Sequence, residues 1–333
     1  MNRSKLYVVG DRLGWSIDDD RARLVATAQR IGYDVGRNVV LRLARRRPVF
    51  QHNHFNALQP RWLESSHRLG LSYFHGRPGT EGYPEFDRAF DTLRRNSSRI
   101  ERIQVTHDEM RELVVGAGVS EQRVFKIPIG VDLEHFHLAS ERSGSSFVIG
   151  SFVKDGVGMA EGLEPKLLKG PDVFVAVVAR LQERISELSV LLTGPARGYV
   201  RRELERLGVP HRHQLFSSRE ELGLAYHDVD VCLVTSRQEG GPKAALEAMA
   251  SGVPFVSTRV GQAAELVREG ENGLLADVDD IDALVAAVER VHGGRDLRLR
   301  LREAGRATAE AHAEERLDPL WAQLLEGFVD GAG

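Results

Sequence analysis

Short apolar runs alternate with longer amphipathic stretches along the chain, and this alternation restricts the fold more than any other feature. Ten runs have the length and composition of strands, at residues 6–10, 49–52, 71–75, 103–105, 124–127, 147–153, 188–193, 214–216, 229–234 and 254–257. Stretches with helical periodicity lie between them, at residues 20–30, 86–95, 108–117, 170–182, 196–207 and 241–250. Apolar strands separated by such helices build βαβ units with parallel strands. The sequence therefore predicts an α/β protein.

A polar segment rich in serine and glycine, residues 139–146, interrupts the alternation just before an apolar run. Such a segment is typical of a linker, and 333 residues at roughly 150 per domain suggest two domains. We therefore expect an N-terminal domain over residues 1–143 and a second domain over residues 144–313. Residues 314–333 carry apolar side chains at i, i+3 and i+4 spacing, which predicts a C-terminal helix that can pack back on the first domain.

The charges are divided unevenly between the two predicted halves. Residues 1–143 include 23 basic and 18 acidic residues, a net charge of +5. Residues 144–333 include 22 basic and 30 acidic residues, a net charge of −8. Only six of the 45 basic residues are lysines, and four of these six lie between residues 154 and 243. A lysine cluster in the more acidic half indicates a local function for these side chains.

Composition excludes several classes of protein. A single cysteine, Cys232, rules out an intrachain disulfide and a cysteine-rich metal site, and its apolar neighbours place it in a buried strand. No run reaches the ~18 consecutive apolar residues of a membrane span, and residues 1–10 lead into a strand without an apolar signal segment. We therefore expect a cytoplasmic protein.

The most informative segment, residues 235–254, follows a predicted strand and so lies at the carboxyl edge of a parallel sheet, where α/β proteins bind ligands. Gly240 and Gly241 leave the backbone accessible, and Pro242 suits the first turn of a helix. The N–H groups at the start of this helix, around Lys243, attract an anion or a hydroxyl-rich ring.

Two glutamates lie in the same segment. Glu239 is in the glycine-rich loop, and Glu247 lies about one and a half turns along the helix. A carboxylate accepts hydrogen bonds from two hydroxyls at once, as the diol of a ribose offers them. The pair predicts a site for a polyhydroxylated ligand; the alternative is a surface helix with solvated glutamates.

The Glu239–Glu247 spacing resembles the E-x7-E motif of the retaining glycosyltransferases of family 4, also called glycosyl transferases group 1. Four further segments resemble motifs of that family in the same order, namely residues 127–136 (IPNGVD…F), 191–194 (l.G.G), 248–254 (AMAxGxPV) and 265–275 (ElV…G.nGlL). The resemblance covers residues 124–284 well and the first 120 residues poorly. It implies the GT-B fold, in which two Rossmann-like domains with parallel sheets face each other across a cleft, here with a helical C-terminal tail.

The resemblance also implies an activity: transfer of a sugar from a nucleotide diphosphate sugar, a UDP- or GDP-sugar above all, to an acceptor hydroxyl with retention of configuration. It implies no bound metal and no other cofactor. Two alternatives stay open, a GT-B-like nucleotide-sugar epimerase or hydrolase, and a catalytically silent nucleotide-sugar-binding partner subunit. The poorly matching first domain favours the silent subunit, and the intact glutamate and lysine pairs oppose it.

In this family a basic pair holds the donor pyrophosphate, and the resemblance gives that role to Lys154 and Lys169. Lys154 follows the strand at 147–153, and Lys169 directly precedes a predicted helix. The family usually has Gly-Arg followed closely by Lys-Gly, whereas here the glycine-rich insert 155–168 separates the two lysines. Lys166 and Lys243 are substitutes; the alternative is that all of them are solvated surface lysines.

Further residues at strand ends complete the predicted site. Gly194 ends a strand, Phe216 and Ser217 are candidates for the base pocket, and Gly14 lies in a loop that can face the donor phosphates. His75 follows a strand and precedes a glycine-rich loop, where the resemblance implies contact with the transferred sugar; a structural histidine is the alternative. The catalytic set is thus His75, Glu239, Lys154 and Lys169.

Two features of the first domain bear on metals and partners. The pair His52 and His54 has no third ligand nearby, so we predict no metal site. The basic run at residues 42–47, followed by Trp62, can bind anionic lipid headgroups weakly or be a solvated face. Without a recognisable module we expect no nucleic-acid partner. The acceptor stays open between a small molecule, a glycan and a lipid-linked compound, and a peripheral position at the inner membrane face is compatible with each.

Overall fold

The apolar runs of the sequence form the strands of two parallel sheets in the computed structural model, each sheet in its own unit. The structure describes residues 5–10, 16–42, 45–140, 142 and 144–329, without the side chains of residues 16–19 and 42. Unit 1 comprises the described residues up to Pro128 and from Glu315 onward, and unit 2 comprises the described residues of Ile129–Glu314. The segment between Ile129 and the predicted linker belongs to unit 2, because Val131 and Phe136 are buried in its core.

Within the described residues, unit 1 contains five parallel strands that neighbour one another in chain order. They are β1 (Tyr7–Val9), β2 (Pro48–Gln51), β3 (Arg68–Ser72), β4 (Ile100–Val105) and β5 (Val124–Lys126). The helices between them are α1 (Ser16–Arg30), α2 (His54–Ala57), α3 (Pro60–Leu63), α4 (Pro84–Arg95) and α5 (Asp108–Gly116). All four strand pairings are parallel, as the alternation of strands and helices predicts.

Unit 2 has a six-stranded parallel sheet in its described residues. Its strands are β6 (Phe147–Ser151), β7 (Leu188–Thr193), β8 (His211–Gln214), β9 (Val231–Val234), β10 (Phe255–Thr258) and β11 (Leu274–Ala276). Its helices are α6 (Pro171–Gln182), α7 (Gly198–Arg206), α8 (Arg219–Ala225), α9 (Lys243–Ala250), α10 (Gly261–Leu266), α11 (Ile281–Gly293) and α12 (Arg295–Ala311). Separate apolar clusters cover the sheet, one built largely from α6 and α11 and the other from α9.

The strand order of unit 2, β11-β10-β9-β6-β7-β8, reverses between β6 and β9. The chain runs from β6 outward to β7 and β8, then returns to pair β9 with the other side of β6. At such a switch point the loops after the two central strands diverge and leave a crevice at the carboxyl edge. The loops after β6 and β9, which carry the predicted lysines and glutamates, are therefore neighbours.

The predicted C-terminal helix forms α13 (Asp318–Leu325) and belongs to unit 1. Leu324 and Leu325 are buried in the same cluster as Phe50 of β2. The Arg30 guanidinium of α1 donates two hydrogen bonds of 2.6 Å to the Asp318 carboxylate. The end of the chain thus completes the core of unit 1.

All ten predicted strands are present, two of them shifted towards the N-terminus, and one further strand was not predicted. The strand expected at 71–75 forms at Arg68–Ser72. Cys232 is fully buried in β9, as predicted. The strand expected at 214–216 forms at His211–Gln214 instead, because this edge strand is polar and the apolar Leu215 beyond it is 68% exposed. The sequence analysis missed β11, whose three residues lie inside a glycine-rich motif. Among the described residues, no helix has the length and apolar character to cross a membrane.

Gly170 connects the two loops at the switch point. It lies between a 3₁₀ turn, Leu167–Lys169, and α6, with a φ of 61°. A Cβ added here would lie 1.9 Å from the backbone oxygen of Thr235, in the loop after β9. The Thr235 hydroxyl in turn donates a 2.8 Å hydrogen bond to the Gly170 oxygen. This position therefore requires glycine for both its conformation and its close contact.

We expect Gly170→Ala to reduce the free energy of unfolding far more than Gly208→Ala. Gly208 also has a positive φ, +68°, but a Cβ there would enter open space, so its substitution costs about 1 kcal/mol of strain. At Gly170 the collision with Thr235 adds to that strain, for a total above about 3 kcal/mol. Urea unfolding of the two variants measures the difference, and equal losses would contradict the close approach.

Candidate functional site in unit 2

The glycine-rich insert between Lys154 and Lys169 folds into a closed loop. The backbone N–H of Lys166 donates to the backbone oxygen of Asp155 at 2.7 Å, so the two ends of the insert meet. Lys154, just after β6, is thereby brought within electrostatic reach of Lys169, just before α6. Burial, together with the charge of Lys169, lowers the pKa of Lys154. The structure thus places together two lysines that the insert separates in sequence.

A buried ion pair anchors this loop to the sheet. Asp155 Oδ1 and Arg197 Nε are 3.0 Å apart, and both side chains are almost fully buried. Arg197 also donates 2.8 Å hydrogen bonds to the oxygens of Ser151, which ends β6, and Thr193, which ends β7. Burial raises the pKa of Asp155 although the charge of Arg197 opposes the shift. Because an unpaired charge would be costly at this depth, each partner depends on the other.

The insert also packs against the turn that leads from β7 into α7. Gly194 directly follows β7 with a φ of +81°, and a Cβ at Gly156 would lie 2.3 Å from the backbone oxygen of Ala196. The Gly198 N–H, at the start of α7, donates to the Glu161 oxygen at 2.6 Å. The insert therefore caps α7, so its position does not depend on the bond between Lys166 and Asp155 alone.

Lys169 and Glu239 form the central ion pair of the site. Lys169 Nζ lies 2.5 Å from Glu239 Oε2, and the Ser236 hydroxyl donates to Glu239 Oε1 at 2.8 Å. The Glu239 side chain is only 8% exposed. A solvated surface glutamate is therefore excluded at this position, and the loops before α6 and after β9 are joined.

Arg237 strengthens the same junction, and the sequence analysis did not select it. Its N–H donates to the Leu168 oxygen at 2.9 Å, and its guanidinium donates to both carboxylate oxygens of Asp172 at 2.8 and 2.7 Å. Burial alone would raise the pKa of Asp172, but the hydrogen bond and charge of Arg237 outweigh it and lower that pKa. Only the tertiary pairing with Asp172 distinguishes Arg237 from the other arginines of this chain.

The glycine-rich loop after β9, which contains Gly240 and Gly241, packs closely against the start of α10. A Cβ at Gly261 would lie 2.4 Å from the backbone oxygen of Glu239 and 2.9 Å from that of Gly240. A Cβ at Gly241 would likewise lie 3.0 Å from the side-chain oxygen of Gln262. Pro242 is the N-cap of α9, and Lys243 is its first residue. The loop thus leads directly into the helix N-terminus, as the sequence predicts.

Glu247 is held by a tyrosine that the sequence analysis did not select. It is 8% exposed on α9, and the fully buried Tyr226 donates a 2.8 Å hydrogen bond to its Oε2. The Phe152 ring stacks on Tyr226 at 3.8 Å between centroids. Burial and the charge of Glu247 raise the pKa of Tyr226, so its hydroxyl keeps its proton. Glu247 is therefore a fixed, buried acceptor and not a solvated surface side chain.

The other predicted donor-site residues lie in the loop between β8 and α8. Phe216 is half-buried and packs against the cluster that contains α9. Ser217 donates from its N–H and its hydroxyl to Glu221 Oε2, at 2.8 and 3.0 Å. Because β8 ends at Gln214, both residues follow the strand end by a short distance in the chain.

In unit 1, His75 lies beyond the end of β3 among aromatic side chains. Its ring centroid is 5.8 Å from those of His54 and Phe86. Burial, with the charge of His75, lowers the pKa of His54. Gly14 lies outside the described residues. Among the residues that the structure does describe, no three His, Cys, Asp or Glu side chains group as metal ligands do.

Two units of parallel sheet with flanking helices are the architecture of GT-B proteins, and solved structures share it. Anabaena HepE, crystallised with UDP and glucose, superposes with a TM-score of 0.77 at 14% identity and covers 98% of this chain and 100% of its own. The sucrose-phosphate synthase of Thermosynechococcus elongatus gives a TM-score of 0.74 at 16% identity, with 97% and 98% covered. These likenesses establish the GT-B fold.

Residues 157–308, which make up most of unit 2, match the family described as Glycosyl transferases group 1. The D-inositol 3-phosphate glycosyltransferase of Corynebacterium jeikeium is 32% identical over 213 residues, 60% of this chain and 50% of the relative. The enzyme of the same description from Nocardiopsis dassonvillei is 31% identical over 273 residues, which cover 76% of this chain and 59% of the relative. The chain thus spans about half the length of these curated relatives.

We expect Tyr226→Phe to lower the free energy of unfolding by about 1.5–3 kcal/mol, because Glu247 loses a donor while the stacking on Phe152 stays. Tyr199→Phe, at a half-buried tyrosine of α7, is the control and should change stability by less than about 0.5 kcal/mol. Urea unfolding with an unchanged m-value is the measurement. A loss at Tyr226 no larger than at Tyr199 would show that the hydroxyl does not hold Glu247.

Proposed function

We propose that the chain is a retaining glycosyltransferase, which transfers a sugar from a nucleoside diphosphate sugar to an acceptor hydroxyl. One observation carries the proposal: Lys169 contacts Glu239 at the carboxyl edge of the central strands of unit 2, near enough to Lys154 for its charge to lower the pKa of Lys154, with the buried Glu247 on the helix that follows. Two ammonium groups suit a diphosphate, and two fixed carboxylates suit the hydroxyls on either side of it. The match of residues 157–308 to the group 1 family supports the same activity.

Lys154 and Lys169 would hold the diphosphate of the donor. The charge of Lys169 already acts on Lys154, so an anion between them relieves a repulsion between like charges. Lys169 would exchange part of its contact with Glu239 for a phosphate oxygen. Negative charge develops on the leaving diphosphate as the bond to the sugar breaks, and the two ammonium groups stabilise it.

The loop after β9 would orient the sugar. Glu239 would accept hydrogen bonds from sugar hydroxyls, and the N–H groups of Gly240, Gly241 and Lys243 would lie beside the sugar and the phosphate. Because Ser236 and Lys169 fix both oxygens of Glu239, the carboxylate is preorganised before the donor arrives. Preorganised acceptors of this kind lower the cost of binding and favour one orientation of the sugar.

Glu247 would accept hydrogen bonds from the ribose hydroxyls, with Tyr226 fixing its orientation. Phe216 and Ser217 would then line the base pocket. A solved structure of the same fold supports a uridine base, because HepE was also crystallised with UDP-glucose. A GDP-sugar remains the second candidate from the sequence. In this arrangement the nucleoside is recognised by unit 2.

The reaction itself would need no protein nucleophile. The bond from the anomeric carbon to the diphosphate oxygen breaks, and a bond to the acceptor oxygen forms on the same face of the sugar. The acceptor proton passes to the leaving phosphate oxygen, so charge and atoms balance. The lysines supply the positive charge for this step, and the proposal includes no resident metal.

Further predictions from the sequence remain part of this proposal. His75 would contact the transferred sugar, and Gly14 would lie beside the donor phosphates. The acceptor is a hydroxyl compound, and small molecules, glycans and lipid-linked acceptors all qualify; the relatives' descriptions name D-inositol 3-phosphate. The enzyme would work in the cytoplasm, with weak contact of the exposed Arg45–Arg47 segment with a membrane surface as an additional prediction.

We expect Glu247→Gln and Lys169→Gln each to weaken donor binding by about ten- to hundredfold, since each removes a charged hydrogen-bond partner. Glu303→Gln, at an exposed residue of α12, and Lys126→Gln, at an exposed residue of unit 1, serve as controls. Calorimetric titration with UDP-, GDP- and ADP-glucose measures the affinity. Unchanged donor affinity in both site variants would contradict the assignment.

The same nucleotide sugars separate the proposed activity from its alternatives when nucleoside diphosphate release is measured with and without acceptors. A transferase releases it mainly when an acceptor is present. Release of equal rate without acceptor would identify a hydrolase, conversion of the sugar without release an epimerase, and binding without turnover a silent subunit.

Diphosphate binding should weaken as the pH rises, and the weakening should begin at a lower pH than it would for two lysines with ordinary pKa values. Burial and the charge of Lys169 lower the pKa of Lys154, so Lys154 loses its proton, and with it the attraction for the anion, at a lower pH than an ordinary lysine does. Lys154→Arg keeps its charge at these pH values. Titration with pyrophosphate from neutral to alkaline pH should show a flatter profile for the arginine variant. Coinciding profiles would exclude Lys154 as an anion ligand.

A further inference from the structure

A basic pocket lies at the edge of the unit 2 sheet opposite the predicted donor site, where the strands begin. Phe147 starts β6, Asp230 precedes β9 and Pro254 precedes β10, and all three line this pocket. Its volume is about 300 Å³, at the small end of ligand sites. We define it as the amino-edge pocket. The predicted donor residues follow the ends of these strands, so the two sites are distinct.

One face of α12 supplies most of the charge in the amino-edge pocket. Arg295, Arg298 and Arg302 line it, at the i, i+3 and i+7 positions of one helix face. Arg142, from the segment before β6, lines it as well. The residues 144–333 carry a net charge of −8, so four arginines around one small pocket are a local concentration of positive charge.

The carboxylates that line the amino-edge pocket already have partners. Asp230 accepts hydrogen bonds from Arg142 Nε at 3.2 Å and from the Val148 N–H at 2.8 Å. Glu187 accepts one from His292 Nε2 at 2.9 Å. Four arginines face two carboxylates among the lining residues, which leaves a surplus of two positive charges with the histidines neutral.

Two of the α12 arginines, Arg298 and Arg302, are also held in place. Arg298 donates to the oxygens of Val291 and His292 at 2.7 Å each, at the end of α11. Arg302 donates to the Ala139 oxygen. Each guanidinium has five N–H donors, and these bonds use only some of them. They also fix the direction in which the other N–H groups point. The N-cap of α12, Gly294, provides no side-chain acceptor for the N–H groups of the first turn, which adds a positive dipole end beside Arg295.

We propose that the amino-edge pocket binds a small phosphate-bearing anion, separately from the donor site. Guanidinium forks match the oxygens of a phosphate in pairs, and the volume accommodates one or two phosphate groups. The phosphate belongs either to a soluble compound or to a lipid headgroup. The inference does not rest on the proposed transferase activity, because none of the residues proposed to contact the donor lines this pocket. Tyr226, which holds Glu247, lines it as well and is the one residue that the two sites share.

Pyrophosphate titration by calorimetry tests the inference in a background that removes the predicted donor site, Lys154→Gln with Lys169→Gln. This double variant should still bind one pyrophosphate. Adding Arg295→Gln should weaken that binding tenfold or more, whereas Arg300→Gln, at an exposed arginine of α12 that bonds to the Gly270 oxygen, should change it less than twofold. Arg298→Lys, which keeps the charge and loses the fork, should give an intermediate loss, so the test does not depend on a single variant.

No binding to the double variant, or equal effects of Arg295→Gln and Arg300→Gln, would overturn the inference. Failure of the proposed function would appear differently, as wild-type protein and the double variant binding pyrophosphate identically while Arg295→Gln still weakens it. Cosedimentation with phosphatidylglycerol vesicles identifies the source. Sedimentation that Arg295→Gln abolishes assigns the site to a lipid headgroup, and pyrophosphate binding without sedimentation assigns it to a soluble phosphate.

Discussion

The ion pair between Lys169 and Glu239 joins the two loops on which the predicted donor site depends. Lys169 precedes α6 and Glu239 follows β9, and the 2.5 Å contact between their side chains closes the distance between them. Around it the chain provides supports of three kinds: a glycine without room for a Cβ, an arginine fork on Asp172, and a hydroxyl on Glu239. A charged pair this close to full burial is tolerated because each partner is hydrogen-bonded or solvated on its other side. The cost of holding these loops together is therefore met before any ligand binds.

The insert after Lys154 illustrates how a departure from a family pattern is accommodated. Inserting residues between two cooperating lysines would normally separate them, but the buried pair of Asp155 and Arg197 fastens the insert to the ends of β6 and β7. The Lys166–Asp155 backbone bond then closes the loop. Loop closure costs little extra as a loop lengthens, so the insert changes the surface around the lysines while preserving their proximity.

Sequence patterns predicted the parallel sheets, the buried Cys232 and the neighbourhood of Glu239, because period, glycine and strand-end signals are local. They did not select Tyr226, Arg237 or Arg197, since each of these acts through a partner far away in the chain: Glu247, Asp172 and Asp155. Arg197 is one of many arginines in the sequence, and only its complete burial sets it apart. The strand predicted at 214–216 forms at His211–Gln214 instead for another reason, because an edge strand needs little apolar content. The functions of these residues therefore depend on their partners in the folded structure and cannot be predicted from residue type alone.

Both edges of the unit 2 sheet concentrate positive charge although residues 144–333 are acidic overall. Lysines lie at the carboxyl edge, where they act as compact point charges, and arginines lie at the amino edge, where their forks also hold backbone oxygens. Net charge therefore says little about which anions this unit binds, because the local arrangement of donors decides it.

Hydrogen-exchange mass spectrometry with UDP, GDP and ADP tests the central claim most directly, because it locates a nucleotide on the chain without requiring the correct sugar or acceptor. The account predicts that one of these nucleotides slows amide exchange in peptides from residues 151–170 and from residues 235–247 together. These segments contain both lysines, the glycine loop and both glutamates. Protection confined to other segments, or none with any of the three nucleotides, would contradict the donor site.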